Sequence, residues 1–119
     1  MKLLIVDDSL IVRRAIERTL ARSRFTELRT ASNGRLALEE FDRFQPDVVT
    51  MDITMPEMDG LAAVDAMIRR APATIILVVS ALADKSTAVE AIKRGASGFL
   101  LKPVTAQSIQ EAMEDVLTD

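Results

Sequence analysis

Lys2-Leu3-Leu4-Ile5-Val6-Asp7-Asp8-Ser9 sets four large apolar residues in a row, then stops at two acids and a hydroxyl. An unbroken apolar run this short, with no polar alternation, predicts a strand covered on both faces. Ser9 is a good N-cap for a helix beginning beside it, because its hydroxyl can accept from a free backbone N–H of the first turn. Val12, Ala15, Ile16 and Leu20 then share one helical face. The opening is therefore strand, acidic turn, helix.

The same order repeats along the chain. Further apolar runs occupy residues 27–31, 47–51, 74–79 and 98–101. The run at 27–31 carries Glu27 and Arg29, and reads as an edge strand. Between the runs lie stripes of helical period: Ala37, Phe41 and Phe44; Leu61, Val64, Met67 and Ile68; Ala88, Ala91 and Ile92; and Ile109, Ala112, Met113, Val116 and Leu117. Asn33, Asp59, Asp84 and Thr105 stand where helices should start, and Pro46, Pro72 and Gly95 just past where they should end. Strict alternation of five strands and five helices predicts a doubly wound α/β domain. Its sheet is parallel, its crossovers right-handed, and helices cover both faces. No repeat, low-complexity stretch or linker interrupts it, so residues 1–119 are expected to form one domain.

In such sheets, functional groups gather outside the carboxyl ends of the strands. Asp7 and Asp8 follow the first strand, Asp52 the third, Ser80 the fourth, and Lys102-Pro103 the fifth. Three carboxylates, a hydroxyl and an ammonium should converge on one edge. Clustered carboxylates repel and raise one another's pKa, and a cation relieves this. Oxygen ligands alone select a hard ion such as Mg2+. A carboxylate beside Mg2+ and a lysine can attack a phosphoryl group, giving an acyl phosphate.

What is missing narrows the chemistry further. The chain has no Cys and no His, which removes thiol nucleophiles, disulfides, the usual zinc sites and the commonest acid–base group. With no Tyr or Trp and a net charge of −3, neither a base-stacking platform nor an electrostatic nucleic-acid footprint is available. No apolar run is long enough to span a bilayer, and acid at Asp7 comes too early for a signal peptide.

Four motifs, Leu-Ile-Val-Asp-Asp-Ser (4–9), Asp-Ile-Thr-Met-Pro-Glu-Met-Asp-Gly (52–60), Ser-Ala (80–81) and Lys-Pro (102–103), occur in order, each at a strand end. Together they resemble the receiver domains of bacterial two-component response regulators, of the CheY-like chemotaxis type, over essentially the whole chain. The resemblance implies a flavodoxin-like sheet of order 2-1-3-4-5. It implies Asp52 as phosphoacceptor. Asp8 would bind Mg2+ directly, Asp7 mainly through water, and the Thr54 backbone carbonyl would be a further ligand. Ser80 would hydrogen-bond the phosphoryl group, Lys102 would pair with it, and Phe99 would occupy the aromatic switch position. A histidine kinase or phosphotransfer protein would be the donor, since this chain has no His to carry the phosphoryl group. The output would be binding to a downstream signalling protein, such as a flagellar motor switch, by a cytoplasmic monomer. Phosphorylation would then shift a two-state equilibrium across the face of the fourth helix, fifth strand and fifth helix.

Some positions depart from the commonest pattern of that family. Ser80 stands for the more frequent Thr and keeps the hydroxyl, while Phe99 lacks the hydroxyl of a Tyr. Leu82 beside the phosphoryl site offers water no acceptor and is expected to slow phosphate loss. Arg13 and Arg14 read as a solvated helix face, with kinase docking there as a family expectation. Rival functions fit less well. The chain could be the N-terminal receiver of a longer regulator, a methylesterase or transcription factor. A haloacid-dehalogenase-type aspartyl-phosphate hydrolase would want a second Asp where Thr54 stands. A flavin binder would want a hydroxyl- and Gly-rich phosphate loop where Asp7 and Asp8 stand.

Overall fold

The computed structural model describes residues 1–21, 24–54, 60–81 and 85–118. Among them five strands and five helices alternate: β1 (Lys2–Val6), α1 (Leu10–Leu20), β2 (Glu27–Ala31), α2 (Gly34–Phe44), β3 (Val48–Asp52), α3 (Gly60–Arg70), β4 (Ile75–Ser80), α4 (Lys85–Lys93), β5 (Gly98–Leu101) and α5 (Ala106–Leu117). The strands form one parallel sheet in the order β2-β1-β3-β4-β5, so the polar strand β2 is an edge, as its charges predict. The sequence reading places β3 and β4 one residue early. Their ladders reach Asp52 opposite Val79 and Ser80 opposite Leu101, so both polar residues are the last rungs of strands rather than the first residues of loops.

Two apolar layers sandwich the sheet. Leu4, Val6, Val49, Met51, Ile76 and Val78 face α2, α3 and α4 through Phe41, Val64, Met67 and Ala91. Leu3, Ile5, Val48 and Leu77 face α1 and α5 through Ile16, Leu20, Ile109 and Met113. Alternate residues of each buried strand thus serve opposite layers, which explains the continuous apolar runs. Two stripe residues fall off the buried faces: Ala15 is exposed, and Ile92 is 49% exposed, because α4 touches the sheet mainly through Ala91.

The helix ends follow from local chemistry. Ser9, Asn33 and Thr105 are N-caps, accepting from the backbone N–H of Val12, Leu36 and Ser108, and Ser108 returns a bond to the Thr105 N–H to complete a capping box. Asp59 and Asp84 lie outside the described residues. Gly95 (φ 109°) ends α4 with its own N–H on the Ile92 carbonyl and the Ala96 N–H on that of Ala91. Gln45 takes the same left-handed role after α2 (φ 50°), a seat the sequence did not announce because Gly or Asn usually fills it. The Lys102–Pro103 peptide is cis.

Candidate functional site

The sheet order places β1 and β3 side by side, and with them their carboxyl ends. Asp7 is fully buried, Asp52 is 1% exposed, and Asp8 lies at the surface. One carboxylate oxygen from each of the three comes within 4.8 Å of the others. From β5, two strands away from β3, Lys102 reaches over: Nζ donates to Asp52 Oδ2 at 3.2 Å and lies 3.1 Å from Asp7 Oδ2. The Lys102 backbone N–H bonds to the Ser80 carbonyl at 2.8 Å, which anchors this reach and fixes the lysine beside the end of β4. Ser80 itself is fully buried.

The local backbone holds each acid in place. Asp7 Oδ1 accepts from the Ser9 N–H at 2.9 Å. Asp52 Oδ1 accepts twice from Thr54, from the backbone N–H at 2.9 Å and from the hydroxyl at 2.6 Å. The two oxygens of Asp52 are therefore unlike. Oδ1 is tied to its own loop, while Oδ2 faces the ammonium. Asp7 Oδ2 has the ion-pair approach of Lys102 but no hydrogen bond, so a buried carboxylate oxygen is left incompletely satisfied.

The electrostatics follow the geometry. Burial pushes the Asp7 carboxyl above its ordinary value, and the Asp52 charge adds to the rise. The Ser9 N–H and Lys102 oppose it without cancelling it. Burial pulls the Lys102 ammonium down, but the close approach of the Asp7 carboxylate and the charges of Asp52 and Asp7 outweigh that, so its pKa ends above the ordinary lysine value. Three clustered carboxylates, one with an incompletely satisfied buried oxygen, and no His or Cys among the donors suit a hard, oxygen-preferring cation.

With that geometry in hand, known proteins decide the family. The response regulator receiver domain family matches residues 3–114. The chain belongs to it. The chemotaxis protein CheY of Listeria monocytogenes is 41% identical over 114 residues, 96% of each chain. A protein-glutamate methylesterase/protein-glutamine glutaminase of Methanococcoides burtonii is 40% identical over 121 residues, which are 99% of this chain and 34% of that one. In solved structures, the CheX–CheY–BeF3–Mg complex of Borrelia burgdorferi superposes with a TM-score of 0.93 at 26% identity, covering 100% of this chain and 90% of its match. The chain is a CheY-like receiver, a phosphorylation-controlled switch of two-component signalling.

The receiver motifs account for most of the site. Asp7, Asp8, Asp52 and Lys102 come together as the strand-end reading expects, and Ser80 closes β4 beside them. Phe99 is half-buried and packs against the layer under α2, α3 and α4. Leu82 lies outside the described residues. Two features escaped the sequence. The sequence reading gives Thr54 no bond to Asp52, yet its hydroxyl holds the phosphoacceptor candidate; a hydroxyl two residues past Asp52 is the available signal. The sequence makes Arg13 and Arg14 one solvated face. Arg14 is exposed, but Arg13 turns inward to the Asp7 carbonyl.

Among the described residues no helix is long and apolar enough to cross a membrane.

Proposed function

We propose that this receiver takes a phosphoryl group onto Asp52 from a histidine kinase or phosphotransfer protein, with Mg2+ as cofactor, and changes its affinity for a downstream signalling protein in a chemotaxis-type pathway. The carrying observation is Lys102 Nζ set between Asp7 Oδ2 and Asp52 Oδ2, at 3.1 and 3.2 Å. A carboxylate nucleophile, a pair of further acids and a fixed ammonium are what phosphoryl transfer to Asp52 requires: positioning and charge neutralisation, with little covalent chemistry beyond the displacement itself.

Asp8, Asp7, Asp52 and the Thr54 carbonyl would hold the cation, which when bound neutralises the acids and polarises phosphoryl oxygens. The Borrelia relative, whose complex contains Mg and BeF3, supports that assignment. An Asp52 oxygen attacks phosphorus and forms the O–P bond. The donor's P–N bond breaks, and its electron pair leaves with the imidazole nitrogen. Lys102 offsets the charge that arrives. Ser80 hydrogen-bonds the new phosphoryl group, and Phe99 turns toward the space this opens. Val89 and Ile92 of α4 and Leu101 of β5 are large apolar residues 52%, 49% and 44% exposed on neighbouring elements, and they supply the surface whose shape a partner would read.

On this reading residues 1–119 act as one cytoplasmic receiver domain whose chemistry is its own phosphorylation and dephosphorylation, not turnover of a substrate. The match to a methylesterase supports a second reading, in which the same switch controls a longer regulator.

Intact mass after incubation with acetyl phosphate tests the proposal. Wild type should gain one phosphoryl group only with Mg2+, and Asp52→Ala none. Phosphorylation of Asp52→Ala, or of wild type in excess chelator, would remove Asp52 or the cation from the mechanism.

A further inference from the structure

Asp8 is exposed, and among the described residues nothing hydrogen-bonds or ion-pairs with its carboxylate. Its direction is therefore set by its backbone. The peptide plane leading into it is held from α1. Arg13, half-buried one turn into α1, donates from a guanidinium nitrogen to the Asp7 carbonyl at 2.6 Å. The Asp7 carbonyl and the Asp8 N–H belong to one planar peptide unit, so fixing the oxygen fixes the rotation of the whole plane. The other side of Asp7 is fixed as well: its N–H bonds to the Ala31 carbonyl at 3.1 Å, and its Oδ1 accepts from the Ser9 N–H. The Arg13 bond completes the restraint at the point where the chain leaves β1, immediately before Asp8.

We infer that Arg13 is a positioning residue for the cation site: its bond to the Asp7 carbonyl orients the Asp8 carboxylate toward Asp7 and Asp52. The inference rests on the cation role proposed above for Asp8. It assigns Arg13 a task separate from Arg14, its exposed neighbour on the same helix. It also predicts against the simplest electrostatic effect. Arg13 is a positive charge near three acids, so removing it as a charge alone would tighten cation binding. Removing it as a positioning group loosens binding.

The test compares wild type, Arg13→Met and Arg13→Lys. Met keeps an apolar stem and discards the donors, and Lys keeps the charge and one donor group. Calorimetric titration with Mg2+ should show Arg13→Met weaker by about tenfold, the usual scale for losing a residue that orients a metal ligand. Arg13→Lys should recover part of that loss. In metal-free protein, amide exchange at Ser9 should be roughly tenfold faster in Arg13→Met, because the loop that holds it opens locally. Equal or tighter Mg2+ binding by Arg13→Met overturns the inference. If wild type binds no Mg2+, the cation proposal fails, and unchanged Ser9 exchange in Arg13→Met then overturns the positioning role independently.

Discussion

Lys102 Nζ stands 3.1 Å from Asp7 Oδ2, although the two residues are 95 positions apart and directly follow strands separated by two others. The lysine side chain is 20% exposed and the acid 1%. Asp7 is thus a buried carboxylate whose ammonium partner is also shared with Asp52 at 3.2 Å. Burial raises the pKa of Asp7, the Asp52 charge adds to the rise, and one ammonium shared between two acids does not cancel it.

Asp7→Asn should stabilise the metal-free protein at neutral pH by roughly 1 kcal/mol, the scale of a single polar substitution. The sign follows from linkage. The folded pKa of Asp7 is above its ordinary 3.8, so the folded state binds the proton more tightly than the unfolded chain. Stability from this group is complete below about pH 3.8 and is lost as pH rises through the folded value. The advantage of the Asn variant should be absent in acid and grow through that window. Lys102 adds stability that is lost only in alkali, as pH rises from 10.5 through its raised folded pKa. Urea unfolding of both proteins across pH measures the difference, and an advantage for Asn that is constant with pH would rule this origin out.

Mg2+ should raise the stability of wild type, because it binds the folded cluster and relieves the same repulsion. At a free concentration ten times its Kd the gain should be about 1.4 kcal/mol. Asp8→Ala should lose most of it while unfolding like wild type without metal, since its carboxylate is exposed and makes no bond among the described residues. Thermal melts with Mg2+ and with chelator check this. An equal Mg2+ response in the two proteins would move the cation away from Asp8.

Ser80→Ala should still accept phosphate but should uncouple the site from the partner-facing side. Ser80 is the last rung of β4, and its carbonyl holds the Lys102 N–H, a bond that the substitution leaves in place. NMR of the Phe99 ring with and without acetyl phosphate should show a large change in wild type and little in the variant. The same ring shift in Ser80→Ala would show that the hydroxyl does not carry the signal.

Gly60→Ala should destabilise by about 1–3 kcal/mol, the range for forcing extra volume into a packed site. A Cβ there would sit 2.8 Å from Ile53 Cβ and closer still to Ile53 Cα, and backbone cannot swing aside as a side-chain tip can. Ile53 directly follows Asp52, so phosphorylation by acetyl phosphate should slow as well. Denaturant unfolding and intact-mass time courses report the two effects. Wild-type behaviour in both would mean that the helix start shifts freely.

Much of this protein was legible in the chain because the relevant signals are local. Continuous Ile, Leu and Val mark strands buried on both faces, caps such as Ser9, Asn33 and Thr105 mark helix starts, and charge at Glu27 and Arg29 marks the edge. The strand-end acids and Lys102 were visible for the same reason: their place in a parallel sheet follows from where each apolar run stops. Bare periodicity leaves the strand order undetermined, and the motif resemblance supplied it.

The tertiary structure decided which side chains turn toward one another. Arg13 and Arg14 are adjacent and chemically alike, so no pattern separates them; the helix phase sends one to the Asp7 carbonyl and the other outward. Thr54 Oγ1 reaches Asp52 Oδ1 because the backbone turns just after β3. The shift in Asp7 likewise depends on burial, on the Asp52 charge and on how Lys102 is shared. Those quantities exist only once strands distant in sequence lie side by side, because charge and desolvation act through space and not along the chain.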